Sequence, residues 1–204
     1  MVQILYMDMN IIFYNKKKDV YMAHYDLMTL LEVYNQTGRK SDKEHFHYYI
    51  SNFYCEKLTL RKNDNLKILE IGIFAGDSLK LWEDFFPNAE IYGLDIVDCS
   101  KHIHSDRVKK YIMNAYDEST LSFFKNKGVK FDIIIDDGPH SLETQDYACK
   151  NYKQFLNDGG IFVVEDVQLC NLETLQRNNP EFTTLNLLHV AQCCMDNILM
   201  YIEK

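Results

Sequence analysis

From Leu66 onward, short apolar runs of the chain alternate with longer segments that have helical periodicity. The apolar runs are KILEIG, EIYGLDI, KKYIMN, FDIIIDD and GIFVVEDV. Runs such as IIID and IFVV are continuously apolar, which is typical of parallel strands that are covered on both faces. The intervening segments DSLKLWEDFF, ESTLSFFKN and SLETQDYACKNYKQFL place apolar residues at helical spacing. This alternation predicts an α/β fold with a doubly wound, mostly parallel sheet and helices on both faces.

The N-terminal part of the chain has a different pattern, which is helical throughout. YMAHYDLMTLLEVYN and HFHYYISNFYCEKL both have helical spacing, and the polar loop QTGRKSDKE separates them. At the other end, the pattern predicts a last strand, ILMYIEK, after a helical stretch around LNLLHVAQCC. We predict one domain over residues 1–204, with a helical N-terminal region at 1–62 and the α/β core at 63–204.

Composition and charge narrow the classes of function. The formal net charge of −8 disfavours nucleic acid as a partner, because binding a polyanion requires concentrated Lys and Arg. No run of about 18 apolar residues is present, so we expect no contact with a membrane. The opening MVQILYMDMN lacks a basic start, and the six cysteines form no C-x-x-C pair. We therefore expect a cytoplasmic protein with reduced, buried thiols, and homo-oligomerisation remains open.

A glycine-containing turn follows the first strand of the predicted sheet. In KILEIGIFAG, Glu70 lies near the strand end, and Gly72 and Gly76 lie in the turn before a helix. Glycine allows a tight turn and a close approach of backbone amides to a ligand. Phe74 occupies the place of the middle glycine of a dinucleotide fingerprint, whereas Asp95 ends the next strand at the roughly 20-residue offset of a ribose-binding acid. The pattern therefore favours a ligand that contains adenosine but no diphosphate.

Acidic residues end two further strands. FDIIIDDGPH ends with Asp136 and Asp137, with His140 three residues after Asp137, and GIFVVEDV ends with Glu165 and Asp166. Adjacent parallel strands bring such ends together, and converging carboxylates repel each other unless a cation lies among them. Oxygen ligands suit Mg²⁺ or another hard divalent cation.

ILEIGIFAGDSLKLWEDFFPNAEIYGLDI resembles the S-adenosylmethionine site of the class I methyltransferases, and in particular the branch of macrocin-type sugar O-methyltransferases and cephalosporin-hydroxylase-like proteins. The resemblance implies a Rossmann-like fold, for which we predict a seven-stranded sheet, and S-adenosyl-L-methionine and Mg²⁺ as cofactors. It also implies that Asp137, Glu165 and Asp166 bind the metal and that His140, from an I-D-D-G-S-H motif, is catalytic. Pro139 replaces the serine of that motif.

Softer matches extend the resemblance to about residues 37–168. KSDKEHFHYY is similar to a G-T-D-K…H-x-Y block that covers the cofactor, with Lys40 and Ser41 in place of its first two residues. MNAYD is similar to a segment that faces the adenine, which makes Asn114 a hydrogen-bonding candidate. The cofactor-binding residues that we predict are Lys43, Glu70, Gly72, Gly76, Ser78, Asp95, Asn114 and Asp136.

Together these patterns predict a metal-dependent O-methyltransferase that acts on a hydroxyl of a nucleotide sugar or glycoside, with His140 as general base. A catechol-type O-methyltransferase is an alternative that also uses a metal and carboxylates. A second alternative is a GDSL-like hydrolase, because Gly76-Asp77-Ser78-Leu79 and the Asp137/His140 spacing mimic its motifs. A third is a cofactor-binding protein without catalysis.

Overall fold

A seven-stranded sheet forms the centre of the computed structural model, which describes residues 30–37, 41–100, 103–190 and 195–204. The strands are β1 (Lys67–Ile71), β2 (Glu90–Asp95), β3 (Val108–Ile112), β4 (Phe131–Asp136), β5 (Leu156–Val164), β6 (Thr183–Asn186) and β7 (Ile198–Glu203). Their order across the sheet is β3-β2-β1-β4-β5-β7-β6. The first five strands are parallel, and β7 is antiparallel to both β5 and β6. The predicted Rossmann-like, mostly parallel seven-stranded sheet is therefore confirmed.

Helices connect the strands where the sequence predicts them, and one further helix follows β5. The α-helices are α1 (Asp42–His45), α2 (Cys55–Leu58), α3 (Asp77–Phe85), α4 (Glu118–Lys127), α5 (Leu142–Asn151) and α6 (Leu169–Asn178). Residues 30–37 are also helical, and a π-helical turn, Ile50–Tyr54, leads into α2. Ser141 caps the start of α5 by accepting a hydrogen bond from the backbone N–H of Thr144.

The apolar core lies on both faces of the sheet, because successive side chains of a strand point to opposite faces. Ile133 of β4 packs in the same cluster as Tyr49 and Trp82, on the side of α3 and the N-terminal helical region. Its neighbour Ile134 packs in the other cluster, with Phe124 of α4. All five side chains are almost fully buried. This two-sided burial explains why the central strands read as continuously apolar.

Two expectations are wrong in part. We predicted a helix around residues 185–194, but Leu185 and Asn186 lie in the edge strand β6, because pairing with β7 outweighs the local helical spacing. Residues 191–194 of that stretch lie outside the described residues. Two of the thiols expected to be buried are exposed, because Cys99 lies in the loop after β2 and Cys170 lies in the first turn of α6. Cys193 and Cys194 lie outside the described residues.

Residues 1–29 and 38–40 of the N-terminal region predicted to be helical lie outside the described residues. The helical elements between Ile50 and Arg61 agree with the prediction, whereas α1 (Asp42–His45) begins inside the segment that we predicted to be a polar loop, where Ser41 caps its start. Among the described residues, no helix has the length and apolar character needed to cross a bilayer.

Candidate functional site

Three loops meet at the carboxyl edge of the sheet. The backbone N–H of Gly72 donates to Leu94, that of Asp137 donates to Ile71, and that of Glu165 donates to Asp136. These hydrogen bonds continue the sheet register beyond the strands, so the residues that follow β1, β4 and β5 lie side by side. This is the edge at which ligands bind in doubly wound folds.

A cavity of about 1050 Å³ opens beside these loops. Five of the predicted cofactor-binding residues line it, and they are Gly72, Gly76, Ser78, Asp95 and Asn114. Asp137 and His140 form part of the same wall, and Ser41 and Asp42 contribute from the N-terminal region. A cavity of this size is typical of sites for small molecules and cofactors.

The glycine turn fits closely against the loop after β4. Gly72 has φ 88°, and a Cβ atom at this position would lie 1.9 Å from the backbone oxygen of Asp137. Only glycine satisfies both the conformation and the contact. Gly76, with φ 85°, precedes α3 and forms its N-cap. The close approach of the two loops therefore depends directly on Gly72.

Asp95 holds the same turn from the other side. Its Oδ2 atom accepts hydrogen bonds from the backbone N–H groups of Ile73 (2.8 Å) and Phe74 (3.0 Å), and its Oδ1 accepts one from Val97. Phe74 has φ 44°, and its side chain is 83% exposed at the cavity wall. Asp95 thus fixes a strained turn that presents an aromatic ring to solvent.

The other three predicted cofactor residues, Lys43, Glu70 and Asp136, are buried behind the cavity wall. Glu70 accepts a hydrogen bond from Trp82 Nε1 at 3.1 Å, and the hydroxyl of Ser78 also hydrogen-bonds to it. Burial raises the pKa of Glu70, although the charge of Lys43 opposes that shift. The side chain of Ser78 is therefore engaged with Glu70 as well as lying at the cavity.

Lys43 forms the centre of a buried ionic cluster. Its ammonium lies 2.6 Å from Asp137 Oδ2 and 3.3 Å from Glu70 Oε1, and it forms a short ion pair with Glu165. Burial alone would lower the pKa of Lys43, but the charges of Asp137, Glu165 and Glu70 raise it well above its usual value. Tyr54 donates a hydrogen bond to the other carboxylate oxygen of Glu165.

A second cluster joins Asp137, His140 and Asp166. Each of these residues has one potential ligand atom, and the three atoms lie within 4.8 Å of one another. His140 Nε2 is 3.2 Å from Asp137 Oδ1 and 3.6 Å from Asp166 Oδ2. Tyr49 donates a hydrogen bond of 2.8 Å to Asp166 Oδ1, and His47 Nδ1 lies 3.4 Å from the same oxygen.

The pKa values of these groups reflect crowding of negative charge. Burial and the charge of Asp137 raise the pKa of Asp166 to about 6. Burial would also raise the pKa of Asp137, but Lys43 and His140 hold it at about 2. Burial would lower the pKa of His140, whereas its contacts with Asp137 and Asp166 raise it to about 9. The carboxylates outnumber the fixed cation, so the site favours an additional positive charge.

Asp136 and Tyr116 support the loop that carries His140. Tyr116 donates a hydrogen bond of 2.6 Å to Asp136 Oδ1, while Asp136 Oδ2 is buried and has no hydrogen-bond partner within the described part of the chain. Burial raises the pKa of Asp136 to about 7. A Cβ atom on Gly138 would lie 1.9 Å from the hydroxyl oxygen of Tyr116, so the loop packs directly on this side chain.

Comparison with known proteins identifies relatives with similar sequences. No protein-family model matches the chain. The chain is 33% identical over 113 residues to the mycinamicin VI 2''-O-methyltransferase of Micromonospora griseorubida, which covers 52% of this chain and 28% of the relative. It is 34% identical over 113 residues to the demethylmacrocin O-methyltransferase of Streptomyces fradiae, with the same coverage of both chains.

The chain is also similar to a methyltransferase whose structure has been solved. The MycE methyltransferase from the mycinamycin biosynthetic pathway, in complex with Mg, SAH and mycinamycin VI, superposes with a TM-score of 0.60 and 28% identity over 67% of this chain and 36% of that chain. The chain is therefore similar to macrocin-type members of the class I S-adenosylmethionine-dependent methyltransferases. It spans less than a third of the length of the two Micromonospora and Streptomyces relatives.

The site also contains residues that the sequence did not single out. Tyr54, Trp82 and Tyr116 each donate a hydrogen bond to a buried carboxylate of the site. In the sequence they are aromatic residues at helical or loop positions, which are typical of a core. Their hydroxyl and indole groups acquire a role only when the strand ends converge.

Proposed function

We propose that the chain is an S-adenosylmethionine-dependent, divalent-metal-dependent O-methyltransferase that acts on a hydroxyl of a sugar or glycoside. One observation carries the proposal: Asp137, His140 and Asp166 converge at the carboxyl edge, beside the cavity lined by Gly72, Gly76 and Asp95. Two related enzymes are named for O-methylation of mycinamicin VI and of a rhamnosyl tetracenomycin, which supports a glycoside as acceptor.

The donor set fits a hard divalent cation. Asp137, Glu165 and Asp166 are the proposed ligands, and the surplus of carboxylates over Lys43 favours a cation among them. Glu165 accepts one hydrogen bond on each oxygen, from Lys43 and from Tyr54, and each oxygen keeps a further lone pair for a cation. A bound divalent cation would supply Lewis-acid activation of the acceptor hydroxyl.

His140 is the proposed general base. It lies at the cavity wall and contacts both Asp137 and Asp166. With a pKa of about 9 it is mainly protonated near neutral pH. Because the charges of the two aspartates cause this shift, neutralising them would return His140 toward the neutral form that can accept a proton.

The cavity residues account for the proposed cofactor. Gly72 and Gly76 line the cavity without side chains, and Asp95 and Asn114 are polar residues of the same wall. The orphaned Oδ2 atom of Asp136 adds a buried acceptor near the same loop. Such a combination suits the amino-acid and adenosine parts of S-adenosylmethionine.

The contacts give no support to the hydrolase alternative. Ser78 hydrogen-bonds to Glu70, and the ring of His140 contacts Asp137 and Asp166. A serine nucleophile would need a hydrogen bond to its base, and these contacts join Ser78 and His140 to other residues instead.

An acceptor screen tests the proposal. Methyl-labelled S-adenosylmethionine would be offered with nucleotide sugars, glycosides and catechols in the presence of Mg²⁺. We expect label in a glycoside or nucleotide sugar; label only in catechols would favour the catechol-type alternative. Binding of S-adenosylhomocysteine without transfer to any acceptor would instead indicate a cofactor-binding protein.

A further inference from the structure

The carboxylates proposed to bind the metal have a second set of contacts, which come from one segment of the chain. Residues 41–54 supply Lys43 to Asp137 and Glu165, Tyr54 to Glu165, and Tyr49 to Asp166. Such partners orient a carboxylate before a metal binds.

Lys43 is buried far beyond what an ordinary lysine tolerates. Its side chain is 1% exposed, and Glu70 and Glu165 are buried to the same degree. Burying an ammonium is favourable only when it is fully paired, and here three carboxylates surround it. Without Lys43, these carboxylates would repel each other and would turn away or take up protons.

Tyr54 completes the arrangement around Glu165. Lys43 contacts Oε2 and the Tyr54 hydroxyl contacts Oε1, so both oxygens are fixed in direction. The ring of Tyr54 packs edge-on against Trp82 at 5.2 Å, and Trp82 donates in turn to Glu70. The aromatic packing therefore holds the hydroxyl in place.

We propose that Lys43 and Tyr54 are positioning residues, which hold Asp137 and Glu165 in the arrangement that a divalent cation requires. This inference rests on the proposed function. The sequence predicts that Lys43 binds the cofactor. The inference gives it a different role, because its side chain is buried behind the cavity wall. Neither Lys43 nor Tyr54 is among the described residues that line the cavity.

Binding of Mn²⁺ to the full chain, followed by electron paramagnetic resonance, tests the inference. We expect Lys43→Met to weaken Mn²⁺ binding about tenfold or more, Tyr54→Phe to weaken it about threefold, and Lys43→Arg to restore part of the loss. Lys57→Met is the matched control, because Lys57 lies in the same N-terminal region and pairs with Glu203 away from the site. The affinity for S-adenosylhomocysteine, measured on the same samples, should change little.

The outcomes separate this inference from the proposed function. If the unsubstituted chain binds no Mn²⁺, the proposed metal dependence fails and the inference fails with it. If it binds Mn²⁺ and the Lys43→Met and Tyr54→Phe variants bind it equally well, only the positioning role is overturned. If Lys43→Met does not fold, Tyr54→Phe decides: weaker binding than in Lys57→Met supports the inference, and equal binding overturns it.

Discussion

His140 and Asp166 face each other across the site, with Nε2 of the imidazole 3.6 Å from Oδ2 of the carboxylate. Both residues have left-handed backbone conformations, with φ 56° for His140 and φ 54° for Asp166. Such conformations cost about 1–3 kcal/mol each for residues other than glycine and persist only where the surroundings impose them. Gln145 contributes to this constraint, since its amide donates to the backbone oxygens of Glu165 and Asp166.

The pH dependence of stability provides one prediction. Asp136 and Asp166 have folded pKa values of about 7 and 6, above their usual 3.8, so the folded chain retains protons that the unfolded chain loses. Their stabilising effect is present at low pH and is lost as pH rises through about 6 and 7. The raised pKa of His140 also stabilises the folded chain at low pH, and this contribution is lost as pH rises through about 9. We expect the melting temperature of the metal-free protein to fall by more than about 5 °C between pH 5 and 9.

Asp137 acts in the opposite direction but in a different window. Its folded pKa of about 2 gives stability that is present above its usual value and is lost only as pH falls toward 2. It therefore does not offset the fall above pH 5. Scanning calorimetry at several pH values checks the prediction, and a melting temperature that rises steadily from pH 5 to 9 would contradict it.

Gly72→Ala tests the contact between the two loops. The added methyl group would clash with the backbone oxygen of Asp137. We therefore expect the free energy of unfolding to fall by at least about 3 kcal/mol and cofactor binding to weaken. Gly159→Ala is the matched control, because Gly159 also has a positive φ but open space around it. It should cost only about 1 kcal/mol. Chemical denaturation of both variants measures the difference, and equal costs would refute the steric explanation.

Asp95→Ala tests how the glycine turn between Gly72 and Gly76 is stabilised. The substitution removes the acceptor for the N–H groups of Ile73 and Phe74, so the strained turn should relax and the affinity for S-adenosylhomocysteine should fall about tenfold or more. Asp98→Ala is the control, since its carboxylate pairs with Ser100 and Lys110 instead. Calorimetry that finds the same affinity in both variants would exclude this role for Asp95.

His140→Gln separates chemistry from binding. The variant keeps a polar side chain of similar reach but cannot act as a general base near neutral pH. We expect methyl transfer to fall by at least about 100-fold, whereas the affinity for S-adenosylhomocysteine remains within about threefold. Turnover near the original rate would rule out His140 as the base.

The sequence predicts the sheet and the convergence of its acidic ends, because both depend on local patterns. FDIIID and IFVV are apolar enough to identify buried strands, and Asp137 and Glu165 follow them directly. Strand β6 escapes prediction because TTLN is short and only partly buried, and its pairing with β7 is non-local.

Lys43 shows how far the sequence can predict the site. Its match to a cofactor-covering block indicates a place near the cofactor, but its ammonium lies among carboxylates from β1, from the loop after β4 and from the loop after β5. Only the fold brings these groups to one point, so no local pattern could show that a lysine is buried there. The same holds for Tyr54 and Tyr116, whose hydroxyl partners are distant in sequence.

The central claim is that methyl transfer depends on a divalent cation at the acidic edge of the sheet. It is tested most directly by following label from S-adenosylmethionine into a responsive glycoside with Mg²⁺, after chelation, and after Mg²⁺ is added back. We predict transfer with Mg²⁺, a loss of at least about 100-fold in chelator, and recovery on re-addition. An unchanged rate in chelator, with the cofactor still bound, would contradict the account.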